Sequence, residues 1–174
     1  LMVFHFGNAP VCRLKAQDFS NQLDTPCRTT AIITGVSQLS MIGLAIAAPI
    51  LIRRFGLATI FIIALLALTI RGAVAGCFSS YAVIFPVQIL DGVGAGLIGI
   101  ATPIAAEQIL AGTGRFNVGL AAEMTVQGIG ASLSHVVAGW LTTNGGDSPA
   151  YWVHGPVALF ALALFLIGCR ELAP

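Results

Sequence analysis

The chain alternates between long apolar runs and short polar turns. The apolar core of a bilayer is crossed by about 20 residues in a helix, and five runs meet this length. They cover residues 30–52, 57–77, 81–106, 117–141 and 151–169. We expect each run to be one full transmembrane helix. Residues 2–9 are also apolar but too short to span, so we expect the end of a further helix, a stub, in an N-terminally truncated chain.

Composition identifies the solvent of these helices as lipid. The chain has 174 residues, of which 57% are hydrophobic and 9% charged, with a mean hydropathy of +0.93. Soluble proteins have about 25% charged residues, so too few polar groups are present to cover a soluble surface. We expect an all-α, polytopic helix bundle that forms a single membrane domain over residues 1–174, in a multi-pass protein of the plasma membrane. The net charge of +1 gives no basic field for a nucleic-acid partner.

Basic residues in the loops predict the orientation of the bundle. Arg53, Arg54, Arg115 and Arg170 lie on one side, whereas the basic residues of the other side all belong to the long first loop. Short loops are the more diagnostic ones for the positive-inside rule. We therefore place the Arg53, Arg115 and C-terminal side in the cytoplasm.

Polar residues recur at helical spacing inside three of the predicted spans. Glu123, Gln127 and Ser134 fall on one face of the fourth span. Such faces avoid lipid and contact protein or a water-filled cavity. One interpretation is helix packing through small residues and interhelical hydrogen bonds, and the other is a transport pathway. The candidate residues of a substrate or proton pathway are Gln38, Gln88, Glu123, Gln127 and Ser134.

Two opposite charges lie inside consecutive spans. Arg71 precedes the turn near Ser79 by eight residues and Asp91 follows it by twelve, so their depths differ by about 6 Å. An unpaired charge at mid-membrane costs about 3 kcal/mol on insertion scales, and pairing lowers that cost. We expect a structural ion pair between Arg71 and Asp91. Glu123 then remains as the candidate protonatable coupling group, the alternative being a neutral Glu123 that hydrogen-bonds a neighbour.

Signals for enzymatic chemistry are weak. Residues 94–99 match the GxGxxG dinucleotide fingerprint, but they lie within a membrane span, and position 119 is Gly where an acidic residue is needed. These glycines favour close helix contact instead. No Cys or His spacing is typical of a metal site, and no nucleophile, base and acid are arranged for hydrolysis. We expect neither enzymatic activity nor a cofactor.

The segment from Gln88 to Gly96, Glu107 and the stretch 112–117, Gly-Thr-Gly-Arg-Phe-Asn, resemble the major facilitator superfamily. The likeness is to the tenth helix, the following cytoplasmic loop and the eleventh helix of a permease. Residues 5–10 resemble the seventh helix, cut short. The resemblance implies the C-terminal half of a twelve-helix transporter, in which the five full spans are helices eight to twelve. Cavity helices of this superfamily include the seventh, eighth, tenth and eleventh.

One loop departs from the superfamily pattern. Arg53-Arg54-Phe55-Gly56 stands where Gly-x-x-x-Asp-Arg-x-Gly-Arg-Arg is usual, and Arg53 occupies the Asp position. The residues that match the cytoplasmic loop motifs are Arg53, Arg54, Gly56, Glu107, Gly114 and Arg115.

From the resemblance we expect transport of a small solute by alternating access, coupled to protons, with export as the direction. The partners are the lipid bilayer, the N-terminal half of the permease, the solute and protons. The alternative is a truncated, non-transporting membrane bundle with a structural or interaction role.

Overall fold

A computed structural model describes residues 2–8, 26–78, 80–145 and 147–168. The described residues form six α-helices. Residues 2–8 form α1, and the others are α2 (Pro26–Phe55), α3 (Leu57–Cys77), α4 (Ile84–Leu110), α5 (Phe116–Gly145) and α6 (Asp147–Gly168). A single 3-10 turn, Tyr81–Val83, leads into α4.

Each predicted span corresponds to one of the helices α2 to α6, and the expected all-α polytopic membrane bundle is confirmed. Within the part of the chain that the structure describes, three helical stretches are both long and apolar enough to cross a membrane: Cys27–Phe55, Leu57–Cys77 and Tyr81–Leu110. In α6, the stretch Pro156–Gly168 is a shorter apolar helix. The 30 residues of α5 extend about 45 Å, which exceeds the thickness of a bilayer core.

Neighbouring helices run antiparallel because their connections are short. The end of α2 and the start of α3 are separated by Gly56 alone, which has a φ of 80°, a conformation that favours glycine. The main core cluster includes Ala105, near the end of α4, and both Ile52 and Leu57 pack against that cluster. At the opposite end, Ala75 of α3 packs with the start of α4 and the end of α5. The helices therefore pass up and down between two ends of one bundle.

Helix α4 lies at the centre and packs against both α2 and α3. Its glycines allow close approach, as expected for the glycines of residues 94–99. A Cβ at Gly92 would lie 2.3 Å from the Ser40 Cβ and 2.7 Å from the Ser37 carbonyl oxygen, and a Cβ at Gly94 would lie 3.1 Å from the Leu68 side chain. Backbone contact of this kind is typical of membrane helices, which gain stability from close packing.

The outside of the bundle is apolar. Ile46, Val118 and Val136 are among many large hydrophobic side chains that remain exposed on α2 and α5. A soluble monomer rarely exposes such extended apolar surface, whereas lipid accommodates it. The chain is an integral, multi-pass membrane protein.

Candidate functional site

Arg71 and Asp91 form an ion pair in the interior of the bundle. The Arg71 Nη1 donates to the Asp91 Oδ1, and the two side chains are 1% and 14% exposed. Ser37 Oγ donates to the other carboxylate oxygen of Asp91 at 2.7 Å. Arg71 Nη2 donates to the backbone carbonyl of Asn8 at 2.8 Å. This network, Ser37–Asp91–Arg71–Asn8, joins α1, α2, α3 and α4.

The network gives both buried charges a partner. A charge buried without a partner is strongly unfavourable, and both oxygens of Asp91 accept a hydrogen bond here. The sequence indicated Arg71 and Asp91, which lie in adjacent helices. It gave no signal for the Ser37 hydroxyl or the Asn8 carbonyl, because both belong to helices distant in the sequence.

A second polar site is a pocket of about 370 Å³ between α1, α2, α4 and α5. Its polar lining consists of His5, Thr102, Glu123 and Gln127. The remaining lining is apolar: Met41, Ala95, Ile98, Gly99, Pro103, Leu120 and Met124. Small-molecule sites have this character, with few polar groups placed in an apolar wall and volumes of about 300–1,000 Å³.

The polar atoms of this pocket differ in whether they have a hydrogen-bond partner. Gln127 Nε2 lies 3.4 Å from His5 Nδ1. His5 Nε2 and Thr102 Oγ1 are buried and have no hydrogen-bond partner among the described residues. A buried polar atom normally pairs with protein, water or ligand. The residues of the pocket thus retain polar atoms whose hydrogen-bonding capacity the described residues do not use.

The other candidate residues lie elsewhere. Gln88 is 1% exposed and donates from Nε2 to the Ile33 carbonyl at 3.0 Å. Ser134 is buried and donates to the Phe6 carbonyl. Both side chains join helices rather than line the pocket. Gln38 is exposed on α2 and lines a neighbouring hollow of about 280 Å³, which shares Met41 with the pocket.

The residues of the cytoplasmic loop motifs are exposed at the end of the bundle where α2 and α4 finish. In the loop after α4, Gly112 and Gly114 have φ values of 76° and 69°. Thr113 Oγ1 donates to the Leu110 carbonyl at 2.7 Å and accepts from the Arg115 backbone N–H at 3.2 Å. The Gly-Thr-Gly-Arg stretch thus forms a compact turn that ends α4 and starts α5.

His5 and Thr102 were missed by the sequence analysis. The ring of His5 belongs to a helix of seven described residues, which is too short to show a periodic polar face. Thr102 occupies one turn of α4 among small apolar residues, where a hydroxyl carries little signal. A lone ionisable residue in an apolar segment was the available clue to His5.

Comparisons with known proteins agree with this architecture. The family model described as "Nucleoside H+ symporter" matches residues 9–171. Two curated relatives, each named an uncharacterized MFS-type transporter, come from two strains of Mycobacterium tuberculosis, CDC 1551 / Oshkosh and ATCC 25618 / H37Rv. Each is 31% identical over 174 residues, covering 98% of this chain and 41% of the relative. This chain thus spans about two fifths of their length. No solved structure matches.

Proposed function

This chain belongs to the nucleoside H+ symporter family, and we propose that it forms the C-terminal half of a transporter that moves nucleosides together with protons. The observation that carries the proposal is the pocket that contains Glu123 and Gln127 at the meeting of α1, α2, α4 and α5. In the superfamily resemblance these are the seventh, eighth, tenth and eleventh helices, which include the cavity helices.

The lining of the pocket suits a solute with an apolar ring and several hydroxyls. The methionine side chains of Met41 and Met124 offer soft, polarizable surfaces to a heterocyclic base. Glu123 accepts hydrogen bonds from hydroxyls, and the Gln127 amide both donates and accepts. A nucleoside presents this combination of groups, and the pocket volume of about 370 Å³ is within the range of small-molecule sites.

Glu123 is the proposed proton-coupling group. It lies on α5, one turn before Gln127, and its side chain lines the pocket. In such an apolar lining, a charged carboxylate is less favourable than a protonated one. A proton on Glu123 therefore neutralises the carboxylate. The pocket then carries no charge from Glu123 when alternating access opens it to the other side of the membrane.

The family description supports symport, in which the solute and the proton move in the same direction. An inward proton gradient then drives uptake. Export, the direction expected in the sequence analysis, requires opposite movement of solute and proton. Flux measured under an imposed gradient distinguishes these two directions.

The proposed partner is a second half of the transporter. Thr34, Gln38, Ala45 and Pro49 share a face of α2, and all four are exposed. Lipid cannot hydrogen-bond the polar members of this face, whereas another helical half can cover it. We expect the 174-residue chain to show no saturable flux by itself, and flux to appear with the preceding half present.

The test is uptake of labelled uridine or adenosine by the full transporter in proteoliposomes. We expect saturable uptake that rises when the outside is acidic and falls when a protonophore collapses the gradient. Glu123→Gln is expected to reduce the response to the proton gradient strongly. Thr125→Val is the matched control, because Thr125 lies on the same helix with an exposed side chain that bonds the Ala121 carbonyl.

Four outcomes contradict parts of the proposal. Gradient-driven uptake that is unchanged in Glu123→Gln removes Glu123 from the coupling role. Flux that is accelerated only by an opposed gradient indicates export. The absence of any nucleoside flux in the full transporter removes the substrate assignment, and the absence of any solute flux favours the non-transporting bundle.

A further inference from the structure

The pocket also contains a histidine, His5, which has no part in the proposed coupling role of Glu123. His5 Nδ1 faces Gln127 Nε2 at 3.4 Å, and His5 Nε2 is buried without a hydrogen-bond partner among the described residues. His5 and Glu123 are the titratable residues that line the pocket. A neutral imidazole has one ring nitrogen without a hydrogen, which can bind a proton, so His5 is a second proton acceptor beside the Glu123 carboxylate.

The contact with Gln127 is compatible with both neutral tautomers of the ring. When Nδ1 is bare, it accepts a hydrogen from the Gln127 amide nitrogen, and Nε2 carries the ring proton. When the amide is turned by 180°, its oxygen accepts from the Nδ1–H, and Nε2 is the nitrogen that binds an incoming proton. Such an amide turn exchanges a donor for an acceptor without moving the backbone.

The charged groups around His5 leave Glu123 as its counterpart. Glu123 lies one turn before Gln127 on α5, whereas Met41 on α2 and Thr102 on α4 carry no titratable group. Arg71 on α3 contacts the Asn8 carbonyl, one turn beyond His5 on α1, and is paired with Asp91 on α4. His135 follows Ser134, whose hydroxyl bonds the Phe6 carbonyl, and lies two turns after Gln127 outside the pocket lining.

We propose that His5 is a second proton-binding group of the coupling site and that Gln127 is its positioning residue. This inference rests on the proposed function. One proton enters the pocket from water and is bound by His5 Nε2 or by the Glu123 carboxylate. In either case the net charge of this pair changes from −1 to zero. The proton returns to water when the pocket opens to the other side of the membrane.

The experiment compares the pH dependence of nucleoside uptake by the full transporter with His5→Gln, each profile scaled to its own maximum. Without the ring, the carboxylate alone binds the proton, and we expect the midpoint to move by about one pH unit or more. His135→Gln is the matched control and is expected to keep the wild-type midpoint.

A second variant keeps the inference testable where His5→Gln fails to fold. Gln127→Met preserves the length of the side chain and removes the amide, and we expect it to move the midpoint in the same direction. A midpoint equal to the wild type in His5→Gln, or in Gln127→Met where His5→Gln is unfolded, overturns the inference. The response of Glu123→Gln to the gradient then still stands as the separate test of the proposed function.

Discussion

Asp91 accepts hydrogen bonds from both Arg71 and Ser37 while 14% of its side chain is exposed. An arginine that is 1% exposed depends on this carboxylate, because removal of one partner leaves the other charge buried and uncompensated. At the scale of single residues, each charge of the pair is therefore expected to be tolerated in the fold only while the other is present.

Arg71→Leu and Asp91→Leu are each expected to destabilise the protein by about 3–5 kcal/mol, and the double change is expected to recover much of that loss. Thermal unfolding in detergent measures all three. Arg53→Leu is the control, because Arg53 is exposed at the end of α2. A double variant whose loss equals the sum of the single losses contradicts the structural role of the pair.

The candidate site could be predicted from the sequence in part. Helical spacing identified the face that carries Glu123 and Gln127, and both lie in the pocket. The same spacing cannot distinguish a side chain that lines a cavity from one that bonds a carbonyl of the next helix. Gln88 and Ser134 do the latter, to Ile33 and Phe6, and only the positions of those neighbouring helices reveal it.

At the scale of helices, α2 and α4 pack closely at Gly92. Among the glycines of α4, Gly92 has the least room for an added Cβ, because α2 fills that space. A methyl group at Gly92 would lie 2.3 Å from the Ser40 Cβ and 2.7 Å from the Ser37 carbonyl oxygen. The backbone of α2 cannot yield easily at that carbonyl, and Ser37 also bonds Asp91. Ser37 therefore affects both the distance between α2 and α4 and the hydrogen bonding of the ion pair.

Gly92→Ala is expected to destabilise the protein by about 1–3 kcal/mol, the usual cost of overpacking. Gly43→Ala is the matched control, since a Cβ at Gly43 on α2 meets nothing within 4 Å and alanine favours a helix. Thermal unfolding in detergent again provides the measurement. Equal midpoints for the two variants are incompatible with the close α2–α4 contact.

The existence of the helices could be predicted more securely than their ends. The apolar runs located α2 to α6, but α2 begins at Pro26 and α5 continues to Gly145, beyond the runs at 30–52 and 117–141. Backbone hydrogen bonds continue a helix into its polar flanks. In this flank of α5, the side-chain Nδ2 of Asn144 also donates to the Trp140 carbonyl at 2.8 Å. Hydropathy reflects the free energy of transferring side chains to lipid. It therefore cannot locate a helix end that lies among polar residues.

At the scale of the whole molecule, the alternation of helices fixes which loops share a membrane face. The turns at Gly56 and at 111–115 lie at the same end of the bundle, because the antiparallel pair α3 and α4 connects them. The start of α6 at Asp147 follows the end of α5 at the opposite end. The arginines at the Gly56 turn and at 111–115 predict that this end of the bundle faces the cytoplasm.

Single cysteines at Thr113 and Ser148, in a background from which the native cysteines are removed, test this orientation. We expect a membrane-impermeant thiol reagent to label Thr113→Cys from the cytoplasmic side and Ser148→Cys from the outer side of intact cells. Permeabilised cells, in which both positions react, provide the control. Labelling of both positions from one side is incompatible with the proposed topology.

The ion pair between α3 and α4 also bears on biogenesis. Arg71 lies in an otherwise apolar α3, and an arginine at the centre of an isolated helix costs about 2.5–3.5 kcal/mol on translocon scales. Its carboxylate partner is synthesised 20 residues later, after the turn that precedes α4. The two helices therefore gain most by leaving the translocon together, which makes the α3–α4 hairpin the natural unit of membrane insertion.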